Sequence, residues 1–385
     1  MKKNLCRVFV MSVFSASCLL SWTTCKAGTV AAWGENYFGQ TDPVSETNII
    51  GIATGAEQTL LLKSDGTVSN YGVHWEPPAG TNTTWAYPII VPPGLNNIVA
   101  VAGGYAHSVA LKGDGTVVAW GRNTYGQTNV PPGLTNVVAI SACDTHTLAL
   151  KSDGTVVAWG GSDTNHTNVP VGLNHVVAVA AGTDDLALKD DGTVVGWGPN
   201  TNLTAILSGL SNIVAISAGW AMDGVWTEWI ALQTDGTVLG YSVPADLTNV
   251  VAITASSGTD HHVNMAVRAD GTVVGWGFNF YGGSTVAEGL TNVIAVSSDG
   301  SHSLALSAEG GPMLHASMIN PSRDGGGFAV SIPSQSGKVY RLEYETSITA
   351  NDWTALPLVA GNGGVVVLRD PVIAGTQRFY RVRRW

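Results

Sequence analysis

Cysteine is scarce in this chain. Four occur among 385 residues, and three of them, Cys6, Cys18 and Cys25, fall within the first 27. From residue 28 onward Cys143 stands alone, so that part of the chain can close no internal disulfide. Charge is scarce as well, at 12% of residues, and positive charge is the rarer sign. Residues 28–311 carry 6 Lys or Arg against 23 Asp or Glu, a formal −17. A surface of that sign excludes DNA or RNA as partner, because phosphate neutralisation needs basic groups. Beyond residue 27 no apolar run is long enough to cross a membrane. There is no Gly-x-Ser-x-Gly, phosphate-binding loop, His-Glu-x-x-His or paired Cys motif, so neither an enzyme nor a cofactor is expected.

The first 27 residues read as a signal peptide. Lys2, Lys3 and Arg7 precede an apolar run over 8–20, too short for a comfortable membrane span. Cys25, Lys26 and Ala27 lead to a cut before Gly28. The expectation is an exported protein that resides outside the cell, at its surface or in the periplasm.

What the chain has in abundance is glycine, 47 residues, and the glycines recur in a pattern. An Asp-Gly-Thr turn starts at Asp65, Asp114, Asp153, Asp191, Asp235 and Asp270, with Ala308-Glu309-Gly310 as a degenerate seventh. The residues 146–160 show one whole unit. Leu148 and Leu150 alternate with Thr147 and Ala149 at strand period, Asp153-Gly154 turns, and Val156 to Trp159 returns. Asp-Gly between two such runs predicts a hairpin with a primed turn. An aliphatic run precedes each hairpin, and a Thr-Asn-Val-Pro stretch follows it. Four short strands per unit of about forty residues is the period of a propeller blade. Residues 28–34 are the second half of such a hairpin without a first half. Residues 301–306 are a first half without a second. Joined, they predict a seven-bladed propeller over 28–311, closed by its own two ends so that no sheet edge is left bare.

These residues resemble the regulator of chromosome condensation repeat family. The elements that carry the likeness are Ala119-Trp120-Gly121, Gly126-Gln127-Thr128, Val130-Pro131 and the run 146–160. The resemblance implies a propeller scaffold, here with the look of an exported bacterial member. Two narrower activities follow from the family alone, inhibition of a β-lactamase-type enzyme and guanine-nucleotide exchange. After Gly311 the repeat stops. Four β-like runs over 312–385, separated by Gly-containing turns, predict a small antiparallel β-sandwich. Its Arg378, Arg381, Arg383 and Arg384 make a basic cluster that could dock on the acidic propeller or on an anionic polymer. The fold class is thus all-β, in three segments: 1–27, 28–311 and 312–385.

Recurrence sorts scaffold from function. His107, His146 and His302 occupy one repeat position that Gln58, Asp184, Glu228 and Val263 also fill. A position so tolerant reads as a hydrogen-bonding strand start, not a metal ligand. The tryptophans of the Trp-Gly pairs read as blade core. Departures from the repeat fall on the face opposite the Asp-Gly turns, where the loops after the first and third strands of each blade emerge. The candidate binding residues there are Trp75, Trp85, Tyr87, Tyr105, Tyr125, Asp144, Asp184, Asp185, Trp220, Asp223, Trp226, His261, Phe280 and Tyr281, with Tyr37, Phe38 and Phe278 beside them. The insertion 73–88 and the long loop 219–229 break the period most. Adjacent His261 and His262 point to opposite faces of a strand, which disfavours a metal there. Aromatics that a blade does not need, rimmed by acids, point to a protein partner, one of basic character, bound by a monomer. A surface glycan stacked on the same rings is the alternative.

Overall fold

Each Asp-Gly-Thr turn joins the middle and outer strands of an antiparallel sheet. In the first unit the Gly66 amide donates to Lys63 O, the Lys63 amide donates to Thr67 O, and Asp65 Oδ1 accepts from the amide and hydroxyl of Thr67. Of the turn residues only Gly66 has positive φ, at 80°. The turn is therefore a type I turn closed by a left-handed glycine, not the primed turn the sequence suggested. The Asp carboxylate decides this. Its bonds to Thr hold the Asp in the right-handed region, which a two-residue primed turn forbids. The same Asp-to-Thr amide bond recurs at Asp114, Asp153, Asp191, Asp235 and Asp270.

The structure is a computed structural model, and describes residues 6–12, 19–23, 28–42, 46–76, 85–161, 165–200, 203–219, 228–256, 262–308, 319–324, 327–346, 353–371 and 378–385. Seven sheets follow the repeat. Sheet 1 holds Ile49–Gly55, Gln58–Lys63, Val68–Glu76 and Trp85–Pro88. Sheet 2 holds Ile98–Gly103, His107–Lys112 and Val117–Gly121, and sheet 3 holds Val137–Cys143, His146–Lys151 and Val156–Gly160. Sheet 4 is Val176–Ala180, Asp185–Lys189 and Val194–Trp197; sheet 5 is Ile213–Ala218, Trp229–Gln233 and Val238–Gly240. Sheet 6 is Val250–Thr254, Val263–Arg268 and Val273–Gly277. Sheet 7 pairs Val293–Ser298 and His302–Ser307 with Thr29–Gly34 from the other end of the chain, Ser303 opposite Trp33.

The first strand of each sheet neighbours the first strand of the next, and that of sheet 7 neighbours that of sheet 1. The Leu-Ala-Leu middle strands explain the stacking. Leu60 and Leu62 share a buried cluster with Ala110, Val109 and Leu111 with Ala149, and Leu148 and Leu150 with Ala187. Leu186 and Leu188 join Ala231, and Ile230 and Leu232 join Ala266. Large side chains on one face of a sheet thus meet the small residue on the facing strand, which lets twisted sheets interdigitate without voids. On the turn side a backbone bond ties each neighbour: Ile98 N donates to Gly66 O, Val137 N to Gly115 O, and so on to Val293 N and Gly271 O. The last joint is closed by a bridge between Gly28 and Ile49.

Two features differ from the sequence reading. Among the described residues only sheet 1 has a fourth strand, Trp85–Pro88 of the insertion, and the Val130-Pro131 and Val169-Pro170 stretches form no ladder. Pro131 and Pro170 lack the amide that a ladder requires. In the fourth unit a short helix, Leu203–Leu207, takes this place. Its buried Leu203 and Leu207 lie over Gly196, where an added Cβ would collide with both.

The C-terminal residues form two more sheets. One is Ile319–Asp324, Gly327–Pro333 and Val365–Asp370; the other contains Val339–Glu345, Thr354–Ala360 and Phe379–Arg384. Cys6–Ser12 and Leu19–Thr23 pair with each other, and Met11 and Ser12 extend the second sheet at Tyr380 and Phe379. Phe328, Val330 and Leu368 of one sheet share a buried cluster with Tyr340, Leu342 and Tyr380 of the other. This part sits against the turn side of sheets 5 and 6. Leu358 N donates to Thr234 O at 2.9 Å, Arg383 donates to Ala269 O at 3.2 Å, and Trp385 is buried with Val250 and Val251. Of the basic cluster, Arg383 makes this contact with the propeller and the other three are consumed within the C-terminal part. Arg378 pairs with Asp370, Arg381 with Glu343 at 2.6 Å, and Arg384 donates to Gln335 Oε1.

Candidate functional site

The loops after the first and third strands do share one face. Arg122 N, at the exit of the outer strand, donates to Ala106 O in the loop after the inner strand, and Gly161 N and Phe278 N repeat the bond to Thr145 O and His262 O.

Three of the outer-strand loops are built alike. Asn36 Oδ1 accepts from the Thr41 amide, and its Nδ2 donates to Asp42. Asn123 does the same with Thr128 and Asn129, and Asn279 with Ser284 and Thr285. Gln40 and Gln127 reach back to the amides of Phe38 and Tyr125. A glycine with φ between 75° and 79° turns each loop, at Gly39, Gly126 and Gly282. The aromatics sit in the arc that this scaffold props up. Tyr37 is 80% exposed, Phe280 72%, Phe278 48% and Tyr125 44%. Phe280 meets Tyr281 edge-on at 5.0 Å between ring centres and lies nearly parallel to Phe278 at 6.3 Å. The Phe278–Tyr281 loop belongs to sheet 6 and Tyr37 to sheet 7. The two are tied where Trp33 Nε1 and Ser303 Oγ both donate to Gly283 O.

The acidic candidates have a different fate. Asp184, Asp185, Glu57, Glu228 and Asp299 are buried, so these five do not form a charged rim. Each carboxylate is taken up by the joints between sheets or by its own loop. Tyr105 OH donates to Glu57 Oε1 at 3.1 Å, the Asn200 amide to Asp184 Oδ1 at 3.0 Å, and Asn264 Nδ2 to Glu228 Oε2 at 3.2 Å. Asp299 Oδ1 accepts the amides of Ser301 and His302. Burial dominates their chemistry. It pushes the Asp184 carboxyl up to about 6 and, with the Glu57 charge next, the Tyr105 phenol up to about 12. Asp144 is half-buried with φ of 39°, its carboxyl also raised by burial, and its carbonyl accepts the Tyr105 amide.

The tolerant repeat position proves to be a joint. In five of the seven units its side chain reaches the next residue position on the neighbouring middle strand; Asp184 bonds Asn200 of its own loop instead, and Val263 is apolar. Gln58 bonds Ser108 at 2.6 Å, His107 bonds Thr147 at 3.0 Å, and His146 bonds Asp185 at 2.8 Å. Glu228 bonds Asn264, and His302 bonds Thr59 at 2.9 Å across the closure between sheets 7 and 1. Several donor–acceptor pairs serve, so the residue varies, and in sheet 6 the apolar Val263 fills the position. The Trp-Gly tryptophans Trp120, Trp159, Trp197 and Trp276 are buried as expected.

Trp75, Trp85 and Tyr87 lie on the paired strands of sheet 1, Glu76 opposite Trp85 and His74 opposite Tyr87; their side chains are outside the described residues. Trp220, Asp223, Trp226 and His261 lie outside them altogether. One residue escaped the sequence reading. His166 takes the place that Gln40 and Gln127 hold in their loops, and its ring stacks on His146 at 4.3 Å. The signal was available as Asn165-His166-Thr167 standing where Gly126-Gln127-Thr128 stands.

Comparison with known proteins agrees with this geometry. Residues 98–127 and 137–165 match the regulator of chromosome condensation (RCC1) repeat. No curated protein matches the chain. Among solved structures, human WBSCR16 is 18% identical, with a TM-score of 0.55 over 73% of this chain and 99% of that one. Prp20p from Saccharomyces cerevisiae is 20% identical, with a TM-score of 0.55 over 73% and 91%. Yeast RCC1 (Prp20) bound to Kap60 is 18% identical, with a TM-score of 0.53 over 73% and 89%. The chain is thus a β-propeller by likeness of fold, and two of its units, residues 98–127 and 137–165, match the RCC1 repeat.

Proposed function

We propose that this protein is a non-catalytic interaction scaffold, a seven-bladed propeller that takes a protein partner on its loop face. The observation that carries the reading is the exposed aromatic group of Tyr37, Phe278 and Phe280, with half-buried Tyr281 packed edge-on against Phe280, set on loops of one repeated, internally bonded design. Exposed aromatic anchors on pre-ordered loops bind with little entropic loss, and a few of them can carry most of an interface. The sequence assigns the insertion 73–88 and the loop 219–229 to the same face, and the formal −17 over 28–311 favours a basic partner surface. The two yeast structures concern proteins with protein partners, Kap60 in one and Gsp1p and histones in the other. The C-terminal part, read as a small β-sandwich, leaves the loop face open because it sits on the turn side. Export through residues 1–27 and a monomeric state belong to the same proposal. Inhibition of a β-lactamase-type enzyme is a narrower form of it, checked with a panel of those enzymes.

The test is affinity capture with wild type, a Tyr37→Ala/Phe280→Ala variant and an opposite-face control, Asp114→Asn. The proposal expects a partner held by wild type and control and lost from the aromatic variant. Equal retention by all three would remove it.

A further inference from the structure

We propose that His146, His166 and Asp185 form a binding site for a divalent transition-metal ion of the zinc class, clamping sheet 3 to sheet 4. The joint between these sheets is unlike its sisters. Where sheets 2 and 3 meet, the corresponding residues are His107, Gln127 and Thr147; where sheets 7 and 1 meet, they are His302, Gln40 and Thr59. At the joint of sheets 2 and 3 one histidine with neutral partners suffices, and at the joint of sheets 7 and 1 the single His302 also faces Asp299 of its own loop at 2.8 Å. Here the loop residue has become a second imidazole and the strand residue a carboxylate. Two independent departures from the repeat thus converge on one point, and each supplies a good metal-ligand type.

The geometry suits the ion. One donor atom from each side chain lies within 4.8 Å of the others, and among the described residues this is the one such cluster of three. His146 Nε2 is 2.8 Å from Asp185 Oδ1, and His166 Nδ1 is 4.0 Å from Asp185 Oδ2. Ligands about 2.0–2.2 Å from a tetrahedral zinc ion stand roughly 3.4 Å apart, between those two separations. Capture requires the stacked imidazoles, 4.3 Å apart between ring centres, to tilt toward a common point. Asp185 is completely buried, and its Oδ2 accepts no hydrogen bond. Leaving a buried carboxylate oxygen without a partner is costly, and a cation at this point removes the cost. The outer supports are present as well. The Gly182 amide donates to Asp185 Oδ1 at 3.3 Å, and Trp197 Nε1 donates to His166 O at 3.2 Å. The first bond orients the carboxylate as an outer-sphere partner does at a metal, and the second, like the Trp159 bond to Gln127 O, fixes the backbone that carries His166. His166 retains 12% exposure, which gives the ion a way in and leaves a fourth position for water.

The probe is Zn²⁺ itself, titrated calorimetrically into chelator-stripped full chain. Wild type is expected to take one ion per chain and to gain melting temperature on doing so. His166→Gln and Asp185→Thr place in this joint the residues that its sisters already carry, so each variant has a precedent for folding. Both are expected to lose the ion and the thermal gain. A wild type that takes no zinc overturns the proposal, as does a folded variant that binds as tightly as wild type. If neither variant folds, the wild-type chain decides alone: its melting temperature rises with zinc and falls with chelator, or the site does not exist.

Discussion

His146 Nε2 lies 2.8 Å from Asp185 Oδ1, although 39 residues separate them in the chain and they stand on different sheets. Both side chains are buried. The bond joins two neighbouring sheets and leaves either partner stranded if the other is removed. Asp185→Ala is therefore expected to cost about 1–3 kcal/mol in metal-free protein, read by denaturant unfolding. A loss below ~1 kcal/mol would show that the joint is ornamental.

The large-to-small packing of the middle strands makes a second prediction. Ala187 faces the cluster of Leu148 and Leu150. Ala187→Leu leaves the hydrophobic pattern of the strand intact but overfills the gap between sheets 3 and 4. It is expected to destabilise by about 1–3 kcal/mol. An unchanged unfolding midpoint would mean that the sheets stack loosely.

The buried acids give the protein a pH signature. The Asp184 carboxyl is raised to about 6, with burial the largest cause. A carboxyl raised in the folded state holds its proton more tightly there than in the unfolded chain. Its stabilising contribution is thus complete below about pH 4 and is lost as pH rises through about 6. Asp184→Asn keeps an oxygen for the Asn200 amide and removes the charge. The variant is expected to exceed wild type by about 1–2 kcal/mol at pH 7.5, after allowance for solvent screening, and to match it at pH 4. The turn aspartates act in the opposite direction and at lower pH. Hydrogen bonds from Thr155 and Lys151 hold Asp153 down to about 2, so its contribution is present above about pH 4 and lost as pH falls toward 2.

The exposed aromatics separate function from stability. Tyr37→Ala and Phe280→Ala remove surface side chains and are expected to change folding stability by no more than about 0.5 kcal/mol. If these rings anchor a partner, each costs about 2 kcal/mol or more of binding. A calorimetric melt beside a binding titration distinguishes the two effects.

Much of this organisation is legible in the sequence because repetition averages out local ambiguity. The spacing of Asp65, Asp114 and their successors sets the period, and the half-hairpin at Gly28 finds its complement at His302. What stays hidden is three-dimensional. A carboxylate on a loop looks solvent-exposed until a neighbouring sheet covers it, as Tyr105 reaches Glu57 from the next sheet along. Pro131 and Pro170 declare that their stretches cannot pair fully, yet the β-branched residues around them read as strand. The repeat alignment marks His166 as a departure, but its two partners lie 20 and 19 residues away, and only the joint brings them together.

The most direct test of the loop-face account places a photoreactive side chain at Phe280 and, in a second protein, at Asp270 in a turn of the same sheet. Both are illuminated in the protein's native setting, and cross-linked products are identified by mass spectrometry. The account predicts one recurrent protein partner from position 280 and none from position 270. The same partner from both positions, or from 270 alone, would contradict it.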